Sequence, residues 1–357
     1  MDKKDLFRGC LIGGAAGDAL GYMIEFWGEK EIFREYGSRG ITAYEKSRGA
    51  ARISDDTQMT MFTAAGLMKG EPYPENVYQS YLDWLGTQDR DARVLDGHKP
   101  ATWLSHVEDL YSLRAPGGTC LSGLRSGRMG TIEEPLNNSK GCGGVMRSAP
   151  AGLFAGSDEK AAARAALLGA QVSVITHGHP LGYLPGAALA HIVWRLTHSE
   201  NCSIRQAVSD TADVLRALFD GDEYLPRFLE TMQRAVSLAD NELTDLENIH
   251  SLGEGWVGDE ALFIGVYCAV KYPDDIDSAL IAAVNHRGDS DSTGAVAGNI
   301  VGAHLGLSGI PEKYTEDLEL KEEILTLADD LCRYDHDAQM SGAQKNDPEW
   351  IRKYNPA

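Results

Sequence analysis

Two stretches near opposite ends of this chain repeat glycine at every fourth residue: Gly13, Gly17 and Gly21 in one, Gly294, Gly298, Gly302 and Gly306 in the other. A glycine inside a helix costs about 1 kcal/mol relative to alanine, so a run of them needs a structural reason. A spacing of four puts them on one helical face, leaving a groove where a second backbone can approach closely. Neither stretch has the length for a membrane pair built on small residues. The pattern predicts helices over 6–21 and 291–306 at the tight centre of a bundle, each abutting acidic residues.

Helical periodicity dominates elsewhere, over 57–70, 161–176, 181–198, 204–220, 259–272 and 320–335, and strict period-two alternation is nearly absent. The fold class expected is all-α, a compact single-domain helical bundle with a central binuclear metal site. The catalytic unit is expected over 1–338, with 339–357, "QMSGAQKNDPEWIRKYNPA", as a tail that packs as an extended strap or frays. Segments 37–53, 86–99, 129–142 and 247–258 read as loops. No repeat architecture or low-complexity tract divides the chain.

The 357 residues, 43% hydrophobic, suffice for one large core. A formal charge of −20 makes the chain a poor generic partner for nucleic acid or anionic membrane. Acidic runs such as "DLENIHSLGEGWVGDE" and "TEDLELKEE" read as solvated surface. Six cysteines without a CxxC pair fit a reducing compartment, and the glycine-rich N-terminus interrupted by Asp5 and Asp18 is a poor signal peptide, so a cytoplasmic monomer is expected.

The chemistry lies in two acidic motifs. "RISDDTQ" places Ser54, Asp55 and Asp56 before one helix, and "HRGDSDSTG" places Asp289, Asp291 and Ser292 before another. Helix capping needs one such residue, and each motif offers two carboxylates and a hydroxyl. Converging carboxylates must bind cations, share protons or hydrogen-bond heavily. Their hard oxygen donors suit Mg²⁺, Mn²⁺ or Ca²⁺ better than zinc, and four carboxylates can hold two divalent ions.

In chain order, "GGAAGDALGYMIEF", "SDDTQMT", "GCGGVMRSAP", "THGHP", "GEGWVGDEAL" and "RGDSDSTGAVAGN" resemble the ADP-ribosylglycohydrolase family, over about residues 6–306. That family includes the bacterial glycohydrolase that reactivates dinitrogenase reductase. The resemblance implies an all-α fold, a centre of two Mg²⁺ (Mn²⁺ as substitute) and hydrolysis of the bond between ADP-ribose and an acceptor, arginine first. ADP-ribosylated protein or an ADP-ribosyl small molecule is the substrate so implied. It makes Ser54, Asp55, Asp56, Asp289, Asp291 and Ser292 metal ligands and places a glutamate near the metals at Glu25. Glu25, in a loop that could cover the metals, is expected to handle the proton, with Asp55 or Asp56 as the other catalytic candidates; the bland reading is a surface glutamate. Many relatives carry threonine where Ser54 and Ser292 stand, which preserves the oxygen. Arg287 occupies a place where a second glycine is common, at the entrance of the site. Some family members are lens proteins without these acids; this chain keeps all of them.

Two glycine-rich turns are candidate anion cradles: "APGGTCLSG", with Gly117, Gly118, Thr119 and Ser122, and "NNSKGCGGVMRS", with Gly141, Cys142, Gly143 and Gly144. Each is otherwise an ordinary turn; a diphosphate fits, and the resemblance supports it. His177 and His179 are loop histidines or substrate contacts. Trp256 is core or a platform for adenine or its ribose. A non-catalytic ADP-ribose binder, or a hydrolase of a serine, nucleic-acid-base or metabolite linkage, is the competing reading.

Overall fold

The computed structural model describes residues 2–334 and 347–355. Its helices in chain order are α1 (Lys3–Gly21), α2 (Glu29–Tyr36), α3 (Asp55–Leu67), α4 (Tyr73–Gln88), α5 (Gly118–Arg125), α6 (Ala149–Phe154), α7 (Ala161–Val174) and α8 (Pro180–His198). There follow α9 (Ile204–Leu218), α10 (Leu225–Leu238), α11 (Asp245–Leu252), α12 (Gly258–Lys271), α13 (Ile276–Val284), α14 (Ser290–Leu305), α15 (Lys321–Arg333) and α16 (Pro348–Tyr354). The strands are a two-residue antiparallel pair, Lys46–Ser47 with Ala50–Ala51. The chain is all-α, as the periodicity predicts.

The glycine repeats meet. Helices α1 and α14 run antiparallel in tight contact, and Gly9 extends the first repeat by one step. A Cβ on Gly13 would overlap the Gly298 carbonyl, and one on Gly17 the Gly294 carbonyl. Gly9 stands against Gly302 in the same way, and Gly21 against Ser290. Every residue of α14 from Ser290 to Ala303 is buried, which explains why its apolar residues are not confined to one stripe. Helices α12 and α13 pack on the outer side of α14, and α15 packs on α1. The antiparallel register brings the C-terminal end of α1 beside the N-terminal end of α14, where Asp18, Glu25, Asp289 and Asp291 lie.

Several expectations are corrected. The region 86–99 begins with the last turn of α4, and 247–258 holds most of α11, started by a capping box between Thr244 and Glu247. The acidic runs are not all solvated: Glu319 is buried between Arg52 and Arg114, and Asp245 is bound by Lys271, Tyr267 and Tyr272. In the tail, Pro348–Tyr354 form α16 in place of an extended strap. Trp350 and Tyr354 are buried there, and the Tyr354 hydroxyl donates to Asp330 at 2.6 Å. The rest of 339–357 lies outside the described residues.

Candidate active site and metal centre

A cleft of about 350 Å³ opens where the N-terminal ends of α3 and α14 meet the turn that follows α1. Glu25, Asp55, Asp56, Asp289, Asp291 and Ser292 line it, with Gly117, Gly118, Thr119 and Cys120 from one loop and Gly141, Cys142 and Gly143 from another. His177, Phe26 and Trp256 are also in the wall, with Ala115, Pro116 and Met146. Acids from both ends of the chain thus share one cavity.

Local geometry explains how each acid is held. Ser54 caps α3, its hydroxyl accepting from Asp56 N at 3.1 Å. Gly117 N donates to Asp55 Oδ2 at 3.0 Å, tying the first glycine loop to the helix start. Asp289 caps α14 by accepting from Ser292 N at 3.2 Å, and the same N–H reaches Asp291 Oδ1 at 2.9 Å. Gly288, at φ +120°, turns the chain under the Glu254 carbonyl, where no side chain would fit. Glu25 does not sit in an open loop. It ends the 3₁₀ turn Tyr22–Ile24 that continues α1, and is buried.

The tightest group is Glu25, Asp289 and Asp291, each offering an oxygen within 4.8 Å of the others, an arrangement that can hold a metal ion. Glu25 Oε2 and Asp56 Oδ2 are buried with no hydrogen-bond partner, which is costly unless something else satisfies them. The donors are oxygens, as a hard divalent cation requires.

Proton affinities carry the same message. Burial, then the charges of Asp291, Asp289, Asp55 and Asp18, push Glu25 up to about 10. Burial first and Asp291 second push Asp18 up to about 7, against hydrogen bonds from Thr57 and Ser54 that pull it down. Asp55, Asp56 and Asp289 are driven well above the ordinary carboxylate range, chiefly by burial. Unfolded carboxyls titrate near pH 4. Above that, the metal-free folded state binds more protons than the unfolded chain, so this cluster's contribution to stability falls as pH rises through about 7 and on towards 10. A divalent cation replaces those protons. The gain in melting temperature on replacing chelator with Mg²⁺ is therefore expected to widen from about pH 5 to about pH 8. A gain that stays flat across that range would place the cation elsewhere.

Some expected contacts lie elsewhere. His179 caps α8, its Nδ1 accepting from Leu181 N at 3.0 Å, and its ring meets Tyr224 outside this cleft. Ser122 is exposed on the next turn of α5 and bonds the Thr119 carbonyl. Gly144 packs beneath the cleft against Gly182. Gly143 faces protein rather than open space: a Cβ there would lie 2.7 Å from Cys120 Sγ and from His177 Cε1. Cys142 N is paired with the Trp256 carbonyl at 3.3 Å, so it is not a free donor for a ligand. The segment Cys142–Arg147 is 3₁₀.

Two further residues, not singled out by the motifs, belong to the site. Asp18 accepts from Ser54 N at 2.9 Å and from Thr57 N at 3.1 Å, clamping the start of α3. Its signal was visible: a single charged residue between glycines in the otherwise uncharged stretch Gly9–Gly21. Phe26 is 72% exposed and stacks on Trp256, ring centroids 5.8 Å apart at 20°. An exposed phenylalanine beside Glu25 has no period to betray it.

The fold and site define a helical protein with a buried acidic centre at the base of a glycine-walled cleft. The profile of the ADP-ribosylglycohydrolase family matches residues 1–339. An ADP-ribosyl-[dinitrogen reductase] glycohydrolase of Rhodospirillum rubrum is 27% identical over 324 residues, covering 89% of this chain and 92% of that protein. ADP-ribosylhydrolase ARH3 of Homo sapiens is 26% identical over 362 residues, covering 92% and 93%. A solved ADP-ribosylglycohydrolase-related protein complex has the same fold, with a TM-score of 0.63 at 22% identity over 93% of this chain and 98% of that one. The chain belongs to the ADP-ribosylglycohydrolase family and is an enzyme of that class, a hydrolase of ADP-ribosyl linkages. Among the described residues no helix is long and apolar enough to cross a membrane.

Proposed function

We propose that this enzyme is a Mg²⁺-dependent hydrolase that releases ADP-ribose from a modified protein side chain, with arginine as the preferred acceptor. The observation that carries the reading is the convergence of five buried carboxyls in one cleft, two of them with unpartnered oxygens. Ser54, Asp55, Asp56, Asp289, Asp291 and Ser292 would hold two Mg²⁺, with Mn²⁺ as a substitute. Bound there, the ions would supply Lewis acidity and a fixed template for the hydroxyls of the ribose next to the scissile bond.

The chain's own groups do the rest. Thr119 and the open backbone of Gly118, where a Cβ would meet nothing within 4 Å, leave room for a diphosphate. Glu25, whose Oε2 has no partner, is placed to move a proton at the reacting bond, with Asp55 and Asp56 confined by their helix. The stacked faces of Phe26 and Trp256 at the mouth suit a planar cation such as a guanidinium, and a serine hydroxyl would gain nothing from them.

A panel of ADP-ribosyl substrates linked through arginine, serine, a nucleic-acid base and a free metabolite, each assayed with Mg²⁺ and with chelator, tests the reading. Mg²⁺-dependent release fastest from arginine is expected. Faster release from another linkage would overturn the acceptor assignment, and ADP-ribose binding without release from any would favour a non-catalytic binder.

A further inference from the structure

Among the described residues that line the cleft, five are carboxyls and none is lysine or arginine. Beyond a bound cation, an anionic ligand there must be met by neutral N–H donors. The one imidazole in the wall, His177, serves only in one tautomer. With its proton on Nε2 it attracts a phosphoryl oxygen; with a bare Nε2 lone pair it repels one.

Behind His177 lies Arg147, fully buried without a carboxylate partner. Its NH2 group donates to the carbonyls of Val172 at 3.0 Å and Ser173 at 3.3 Å, and to Thr176 Oγ1 at 2.7 Å. Its NH1 group reaches Met59 and Cys120 sulfur, and the guanidinium lies 4.5 Å from the Tyr81 ring centroid. An arginine can only donate. Thr176 Oγ1 therefore accepts from it, and the Thr176 proton must go to another acceptor. Two adjoin: His177 Nδ1 at 2.9 Å, and Cys120 sulfur. A thiol sulfur is the weaker acceptor. With the hydroxyl proton given to Nδ1, the better acceptor of the two, the ring's own proton is left on Nε2.

Burial first, and the Arg147 charge second, lower His177 to about 3, so the ring is neutral. Its Nε2 has no protein partner among the described residues, and would lie 3.2 Å from a Cβ on Gly141 and 3.1 Å from one on Gly143. It abuts the glycine loop in the wall of the cleft.

We propose that Arg147 is a positioning residue: through Thr176 it fixes His177 in the Nε2–H tautomer, aimed into the cleft as a neutral donor for a diphosphate oxygen. The ligand named here rests on the ADP-ribose reading above; the tautomer does not.

The test uses the full chain with selectively ¹⁵N-labelled histidine and saturating Mg²⁺. Long-range ¹H–¹⁵N spectra, with His177→Gln for assignment, are expected to show His177 protonated on Nε2 and bare on Nδ1. Thr176→Val should scramble that pattern and weaken ADP-ribose binding about tenfold at unchanged metal content, and Thr176→Ser should restore both. A wild-type Nδ1–H ring overturns the proposal, as does a Thr176→Val protein that keeps the tautomer and the affinity. If the wild type shows the Nε2–H ring but ADP-ribose neither binds nor perturbs it, the relay stands and the substrate reading fails. Should Thr176→Val not fold, the wild-type spectrum still decides the tautomer, and Arg147→Lys, which keeps the charge but loses the fork, tests the relay.

Discussion

Asp291→Asn is expected to lose bound divalent cation and about 10³-fold or more in turnover, yet to melt at a higher temperature than the metal-free wild type. Asp291 is the leading charge acting against Asp18, Glu25, Asp56 and Asp289. Removing it relieves each of them, while asparagine keeps an oxygen for the Ser292 N–H that Asp291 Oδ1 now accepts at 2.9 Å. Stability and activity then move in opposite directions, as they do where a site is held together against its own repulsion. Metal content, ADP-ribose release and melting in chelator at about pH 8 are the measurements. A variant that keeps its metal, or that melts lower than metal-free wild type, would contradict the electrostatic account. Glu25→Gln supplies the contrast. Under saturating Mg²⁺ it should retain ADP-ribose affinity while turnover falls roughly 10²–10⁴-fold, the mark of help given mainly in the transition state.

Gly298→Val should cost about 3 kcal/mol or more, a large fraction of a typical protein's stability. The added carbons would enter the Gly13 backbone, which has no rotamer through which to yield. Any relief requires α1 and α14 to separate, and that displaces Glu25 from Asp289 and Asp291 as well. Gly118→Ala is the control, because nothing lies within 4 Å of its Cβ. Chemical denaturation of the two variants measures the difference; a Gly298→Val protein as stable as wild type would remove the seam from its central place.

The seam and the acids were legible because each rests on short, strongly constrained spacing. Four-residue glycine steps have one geometric meaning in a helix, and paired aspartates need compensation wherever they fall. The glycine loops were legible as turns, but not in their orientation. Gly143 and Gly144 have their Cα atoms against protein, and only the three-dimensional neighbours, Cys120, His177 and Gly182, reveal it. Helix α11 was hidden because its charges read as solvent exposure, although the Thr244–Glu247 box was present in the sequence. Glu319 was misread for the same reason: its partners Arg52 and Arg114 lie more than two hundred residues away. Phe26 and the Arg147–Thr176–His177 chain depend on tertiary contacts that no period records.

The antiparallel seam also sets a clock. At about 5–20 residues per second, roughly 13–54 s separate the synthesis of Gly21 from that of Ser290. For that interval the first helix carries a bare face that only α14 fits, and Asp18 and Glu25 wait without Asp289 and Asp291. Closing so long a loop comes late, since its entropy is lost before the contacts that reward it are made. Core and acidic centre are therefore completed by the same event. Cation uptake in a growing or refolding chain would mark the moment when its two ends have met.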